Sequence, residues 1–372
     1  MDMVELLTLM VDKGASDLLV SVGATPSLKI NGRVQPAQND VLAPQQSHDL
    51  AMSIMDEEQR EEFRVEKELN FALTPPGIGR FRINVFQQRG HIGLVARQIS
   101  STIPTLDELG LPVQALAEVA MSKIGLVLFV GGTGTGKSTT QAAMVGHRNC
   151  NSYGHIITIE DPIEFVHEHN NCIVDQREVG VDTSSFENAL INAMRQAPDL
   201  IQIGEIRDSS TMRNALVFAE TGHLCFATLH ASNTYQALER IIKLYPSGER
   251  DGLLMDLSLN IRAIVAQRLI PKKDDSGYVV AVEVLLNSPL IRDLISKGEI
   301  DNLYDAMEHS TDDGIVTFDQ TLYRLHQMDL IHTEDALRYA TSANNLKLKI
   351  KLEGKEAQET KEIGSSLEGV EF

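Results

Sequence analysis

The sequence predicts an α/β protein in two parts: a small N-terminal α+β domain, and a larger domain built on a parallel sheet. Three observations carry that expectation. Beyond residue 112, apolar strand runs near 126–130, 156–160, 200–204 and 224–228 alternate with helical patterns. Such alternation builds a parallel sheet with helices on both faces and a ligand site at the strands' carboxyl ends. Before residue 100, short half-buried strands are interleaved with helical stretches instead. Between the first apolar strand and a helix opening at Ser138 lies Gly131-Gly132-Thr133-Gly134-Thr135-Gly136-Lys137-Ser138-Thr139. Strand, glycine-rich turn and helix in that order make a phosphate cradle. The glycines let successive N–H groups face one anion, and the helix adds its positive end. Lys137 supplies a cation for the β- and γ-phosphates, and Ser138 a hydroxyl for the Mg²⁺ that bridges them.

In chain order, Leu6, Leu7, Leu9 and Met10 form a short amphipathic helix that Gly14 ends. Residues 17–21 and 27–30 are strand candidates, and Asn31-Gly32 is a hairpin turn signal. Residues 45–63 read as helix. Residues 79–86 alternate apolar and polar positions as a half-buried strand does, with Arg80 and Arg82 on the polar face. Residues 93–99 form a further strand that carries Arg97. A solvated sheet face explains any one of these arginines. Three on one sheet beside a phosphate-binding domain favour phosphate recognition, which guanidinium serves well. The proline-bounded stretch 101–112 reads as a linker between a domain at 1–100 and one at 113–343. Residues 344–372 lose apolar periodicity, carry six glutamates and read as an acidic, disordered tail.

Composition bounds the function. The formal net charge of −19, from 33 basic and 52 acidic residues, excludes a broad nucleic-acid surface, which needs clustered cations. Cys150, Cys172 and Cys225 have no C-x-x-C spacing, so neither a metal cluster nor a disulfide framework is expected. With no basic leader and no apolar run of membrane-spanning length, the expectation is a cytoplasmic protein.

Two strands run into acids. Residues 199–204 end at Glu205, in the position of a metal-side carboxylate that acts through water. Residues 156–159 end in Glu160, Asp161, Pro162 and Glu164, and the proline turns the chain so that the glutamates leave the sheet. Acids after strands also cap the following helix, which is the plainer alternative for both Glu205 and Glu164. The strand 224–229 is bracketed by His223 and His230. A single histidine is usually a satisfied structural residue, but two flanking a strand beside the γ-phosphate are positioned to sense it.

Together the loop Gly131–Ser138, the acidic box Thr158–Glu164, the strand ending Gly204-Glu205-Ile206-Arg207-Asp208, and Glu220-Thr221-Gly222-His223 with His230 resemble the type IV pilus and type II secretion ATPases. The resemblance runs from Gly14 to about Ala340. The short N-terminal domain and the lack of a tetracysteine insertion are similar to the pilus retraction branch. Pro289-Leu290-Ile291-Arg292-Asp293-Leu294-Ile295 is similar to that branch's C-terminal signature, altered at two positions. Leu19, where the main motor usually has His, and the acidic tail are most similar to the accessory paralogue. Ile124 beside Lys123 replaces an arginine that many members carry there.

The resemblance implies a PAS-like N-terminal domain joined to a RecA-like domain, six copies forming a ring. It implies ATP as the nucleotide and Mg²⁺ as its ion. It makes Glu164 the general base, Glu205 the metal-side acid, and His223 and His230 nucleotide sensors, with Arg82 and Arg97 approaching the phosphates and Arg80 less securely. It further implies work at the inner face of the inner membrane, with a pilus platform protein and a paralogous retraction ATPase as partners. The expected function is a homo-hexameric ATPase that drives or assists pilus retraction. The alternative is an ATP-binding coupling subunit that docks on the paralogue and has little motor activity of its own. A nucleic-acid translocase fits the loop but neither the charge nor the acidic and histidine boxes.

Overall fold

The computed structural model describes residues 1–30, 32–100 and 102–352. They form two compact units. The first is Met1–Thr102 with the short segments Ile163–His167 and Gly180–Asp182; the second is Ile103–Pro162, Glu168–Val179 and the chain from Thr183 onward. Among the described residues no helix is long and apolar enough to cross a membrane.

The first unit opens with α1 (Met3–Asp12). Asp2 and Glu5 exchange side-chain to backbone hydrogen bonds of 2.8 Å, which satisfies two N–H groups that a helix start leaves unpaired. Met3, Leu6, Leu7 and Met10 recur at helical spacing and are all buried. There follow β1 (Asp17–Val20), β2 (Ser27–Ile30), β3 (Arg33–Pro36), α2 (Pro44–Met52), α3 (Glu57–Glu66), β4 (Glu68–Leu73), β5 (Arg80–Gln88) and β6 (His91–Ile99). The single helical stretch expected over 45–63 is thus two helices. Asp56 begins the second, accepting from Gln59 N–H at 2.8 Å.

The six strands form one antiparallel sheet in the order β3-β2-β1-β6-β5-β4. The turn between β2 and β3 pairs Ile30 with Arg33, and Gly32 takes φ 76°, as a two-residue hairpin requires; Asn31 lies outside the described residues. Phe81, Ile83, Val85, Leu94 and Ala96 face the core, so the period of two puts Arg80, Arg82 and Arg97 on the other face. Arg82 and Arg97 are direct cross-strand neighbours. Like charges so placed repel, and Asp17 on the far side of Arg97 offsets this with an ion pair of 2.7 Å.

The second unit begins with the irregular run 103–112, whose Leu106 and Leu111 are buried in its core. Its elements are α4 (Val113–Ala120), β7 (Gly125–Val130), α5 (Lys137–Asn151), β8 (Gly154–Glu160), β9 (Cys172–Glu178), α6 (Phe186–Ala193), β10 (Leu200–Ile203), α7 (Ser209–Glu220), β11 (Leu224–Leu229), α8 (Thr234–Lys243), α9 (Arg250–Asn260), β12 (Ile261–Pro271), β13 (Tyr278–Leu286), α10 (Pro289–Lys297), α11 (Leu303–Glu308), α12 (Phe318–Gln327) and α13 (Thr333–Tyr339). The sheet order is β13-β12-β7-β11-β10-β8-β9, parallel throughout except for the edge strand β13.

Every residue of β7, β10 and β11 is buried, as expected of central parallel strands covered on both faces. Alternate residues divide between two cores. Leu126, Leu128 and Val130 enter one with Ile203, Leu229 and the helices α7 to α10. Val127 and Phe129 enter the other with Ala143 and Met144 of α5, where Phe129 meets Phe226 edge to face at 5.4 Å. Fully burying such a side chain contributes roughly 1.5–3 kcal/mol. One sequence expectation is corrected at the C-terminus: residues 343–352 are helical, Leu346 is buried in the larger core, and Lys349 lies over the Tyr323 ring at 4.8 Å. The rest of the expected tail, 353–372, lies outside the described residues.

Candidate active site

Parallel register brings several chain ends to one edge. Val130 is paired with Leu229, Ala227 with Ile203, and Ile203 with Ile159. The loop after β7, Glu205 after β10 and His230 after β11 therefore share the carboxyl edge of the sheet.

The loop's backbone needs its glycines. Gly131, Gly134 and Gly136 have φ of 156°, 76° and 90°. A Cβ on Gly131 would also stand 2.4 Å from Thr135 Oγ1 and 2.9 Å from the Gln267 carbonyl oxygen. Gly136 is the N-cap of α5, so the N–H groups of the first turn open toward the loop. Lys137 is buried and its Nζ donates to the carbonyls of Gly131 at 3.0 Å and Gly132 at 2.7 Å. Ser138 and Thr139, next in the helix, are partly exposed. Thr133 is exposed and Thr135 Oγ1 donates to the Gly132 carbonyl at 3.0 Å. Behind the loop Gln267 on β12 donates to Thr140 Oγ1 at 2.9 Å, a support that no motif announces.

Glu205 and His230 meet at this edge. His230 Nε2 lies 3.3 Å from Glu205 Oε1, and its Nδ1 lies 3.2 Å from the Gly131 carbonyl oxygen. Both ring nitrogens face acceptors, and a neutral imidazole can donate to only one of them. Arg207 donates through Nε to the other oxygen of Glu205 at 3.0 Å and through a terminal nitrogen to Asp161 at 3.5 Å. The carboxylate hydrogen bond raises the Arg207 pKa further. The capping alternative for Glu205 is settled, because Asp208 caps α7 by accepting from Thr211 N–H at 2.7 Å. Thr228 Oγ1 donates to the Gly204 carbonyl, which ties the ends of β10 and β11 together. A Cβ on Gly204 would stand 3.2 Å from both Glu160 Cα and the Ile159 carbonyl oxygen, so a side chain there would press the end of β8 outward by a few tenths of an ångström. A cleft of about 670 Å³ runs from Gly131, Gly132 and His230 along Ser232, Gln236 and Arg240.

The remaining expected site residues divide between the second unit and the first. His223 is corrected: it precedes β11, and β11 pairs with β7 from Leu224↔Gly125 to Leu229↔Val130, so it sits at the opposite edge from the loop. A six-residue strand separates the two histidines by roughly 20 Å. His223 Nδ1 lies 3.2 Å from both the Phe218 carbonyl and Thr221 Oγ1, the bonding of a structural histidine. Glu160 does not turn out of the sheet but is buried, accepting from Thr158 at 2.6 Å and Gln176 at 3.2 Å. Glu164 belongs to the first unit, exposed in a segment whose Val166 N–H donates to the Ser100 carbonyl at 3.1 Å. Arg82 and Arg97 also belong to the first unit. Nearby His167 is buried, which pushes its pKa down to about 4.

A family model described as "Type II/IV secretion system protein" matches residues 3–364. The chain belongs to that family. Within the type II/IV secretion family it is 55% identical over 352 residues to the type IV pilus ATPase PilU of Pseudomonas aeruginosa, covering 95% of this chain and 92% of that protein. It is 41% identical to the type IV pilus retraction ATPase PilT of the same organism, covering 93% of this chain and all of that one. The higher identity is to PilU, in line with the expectation drawn from Leu19, the altered C-terminal signature and the acidic tail. Among solved structures it is similar to the pilus retraction motor PilT with bound ADP, at 39% identity and a TM-score of 0.87, covering 93% of this chain and 99% of that one. The Legionella pneumophila ATPase DotB is similar at 27% identity and a TM-score of 0.73, covering 90% and 93%.

Proposed function

We propose that this protein is an ATPase of type IV pilus retraction, acting as a homo-hexameric ring that couples Mg²⁺-dependent ATP hydrolysis to pilus disassembly. The observation that carries the reading is the convergence of the phosphate loop, Glu205 and His230 at one sheet edge, with His230 3.3 Å from Glu205 and 3.2 Å from the loop's Gly131 carbonyl. It stands in a chain 55% identical to PilU over 95% of its length.

Each residue then has a task. The loop's N–H groups and the start of α5 receive phosphate oxygens, and Lys137 moves from the loop carbonyls to the phosphate anion. The oxygen donors Ser138 and Glu205 suit Mg²⁺, a hard ion that keeps several waters and needs few protein ligands. Ser138 would hold it directly and Glu205 through water. When bound, the ion neutralises charge on the β- and γ-phosphates. His230 holds Glu205 and the loop in register and reports whether the phosphate is present. Glu164 acts as the general base that orients the attacking water, and Arg82 and Arg97 approach the phosphates; these three roles rest on the family resemblance. Rotation of the domains on turnover supplies the force, delivered to an inner-membrane platform protein from the cytoplasmic side, with a paralogous retraction ATPase as partner.

The test is phosphate release by the purified protein with Mg²⁺ and ATP, beside Glu164→Gln and Lys137→Ala. Turnover abolished by both substitutions is the expected result. Binding of ATP without turnover would assign the chain instead to a coupling role on its paralogue, a reading for which the altered Leu290–Ile295 segment leaves room.

A further inference from the structure

The loop that carries His230 into α8 is held at its far end by two largely buried charged groups that the steps above do not use. Glu283 on β13 is 1% exposed. One of its oxygens accepts from both the N–H and the Oγ1–H of Thr234, each at 2.8 Å. The other faces the Phe318 N–H at 3.5 Å, so one carboxylate serves the first turns of α8 and α12. Arg268 on β12 donates through one terminal nitrogen to the Ser232 carbonyl at 3.1 Å and through the other to the Tyr339 carbonyl. Its guanidinium lies over the Phe318 ring at 4.0 Å.

Burial pushes the Glu283 carboxyl pKa up and the Arg268 pKa down, while the Thr234 donors and the charge on Arg268 hold the carboxyl back. Apolar residues would fill such a place at no desolvation cost, so the energy spent on these groups must be offset by what they bond. Between them they bond Ser232 and Thr234, where the chain enters α8, and tie that stretch to Phe318 and Tyr339. At its other end the same loop begins at His230, whose ring lies between Glu205 and Gly131.

We propose that Arg268 and Glu283 are positioning residues for hydrolysis: together they fix residues 232–234 and so keep His230 between Glu205 and the phosphate loop. The inference rests on the reading of Glu205 and His230 as parts of the hydrolytic site. In the full-length protein, phosphate release and binding of a fluorescent ADP analogue are compared for Arg268→Gln, Thr234→Ala and Thr234→Ser, each alone and with His230→Ala. Arg268→Gln and Thr234→Ala are expected to lower kcat about tenfold while KM and ADP affinity stay within about twofold. Thr234→Ser, which keeps the hydroxyl on Glu283, restores the rate. In the His230→Ala background neither substitution lowers the residual rate further, because both act through that side chain.

Losses that multiply with His230→Ala, or an equal loss of ADP affinity, would overturn the proposal. The Thr234 pair decides the matter if Arg268→Gln does not fold. Wild-type phosphate release by Lys137→Ala would sink the function reading and this proposal with it; Lys137-dependent turnover with multiplying losses sinks only the positioning role.

Discussion

β11 ends in a histidine on either side, and the two live in different chemistry. At the carboxyl end His230 has a carboxylate on one ring nitrogen and a carbonyl of the phosphate loop on the other. At the amino end His223 bonds the Phe218 carbonyl and Thr221 of its own turn and stacks edge-on to the Phe218 ring at 6.1 Å. The difference teaches that in a parallel sheet a residue's place along the strand matters more than its type. All carboxyl ends share one edge, and only there do separate loops converge.

The largest effect should come from the loop itself. Lys137→Ala is expected to lower phosphate release at least about a hundredfold, since it removes a preorganised charge from the phosphates. A colorimetric phosphate assay reads it, and retained turnover would break the assignment of this edge. Gly131→Ala should come close behind. The added carbon meets Thr135 and the Gln267 carbonyl in a backbone region that only glycine favours, so ADP affinity measured by fluorescence titration should fall.

His230→Ala should cost roughly tenfold or more in kcat, with ADP binding retained. His223→Ala should leave ADP affinity within about twofold and cost only the fraction of a kcal/mol to 1.5 kcal/mol of a local hydrogen bond. Equal losses from the two would erase the distinction between the ends of β11.

A third histidine sharpens the point in the first unit. His167 is buried, with its pKa pushed from 6.5 to about 4, so the native state excludes a proton that the unfolded state binds. The sign follows: stability is unaffected above pH 6.5 and falls as pH drops from 6.5 toward 4, where the unfolded chain holds more protons. Melting curves at pH 7 and pH 5 should show the loss in the wild type, and His167→Gln should show less of it. An equal drop in both would place the acid sensitivity elsewhere.

Much of the candidate site is legible in the sequence. The phosphate loop is contiguous, so its glycines, Lys137 and Ser138 declare their role within nine residues. The apolar runs of β7, β10 and β11 read as buried parallel strands, which puts Glu205, His230 and the loop at a common edge without saying which of them meet. β9, β12 and β13 were less legible. β12 and β13 are long, carry Gln267, Arg268 and Glu283 inside apolar runs, and follow helices whose boundaries sequence periodicity blurs. The helix at 343–352 is hard to read from sequence because only Leu346, with Ile350 partly buried one turn on, anchors it in place of a full apolar stripe.

The sequence by itself determined the chemistry on offer: a phosphate cradle, a carboxylate after one strand and a histidine after another. Those depend on short-range order, in which spacing along the chain equals spacing in the motif. Only tertiary structure decided which pieces meet. It separated His223 from the loop, buried Glu160, brought His230 to Glu205 and Gly131, and set Gln267, Arg268 and Glu283 behind the loops. Such pairings join residues tens of positions apart through sheet register, and no local pattern in the chain encodes a partner that distant.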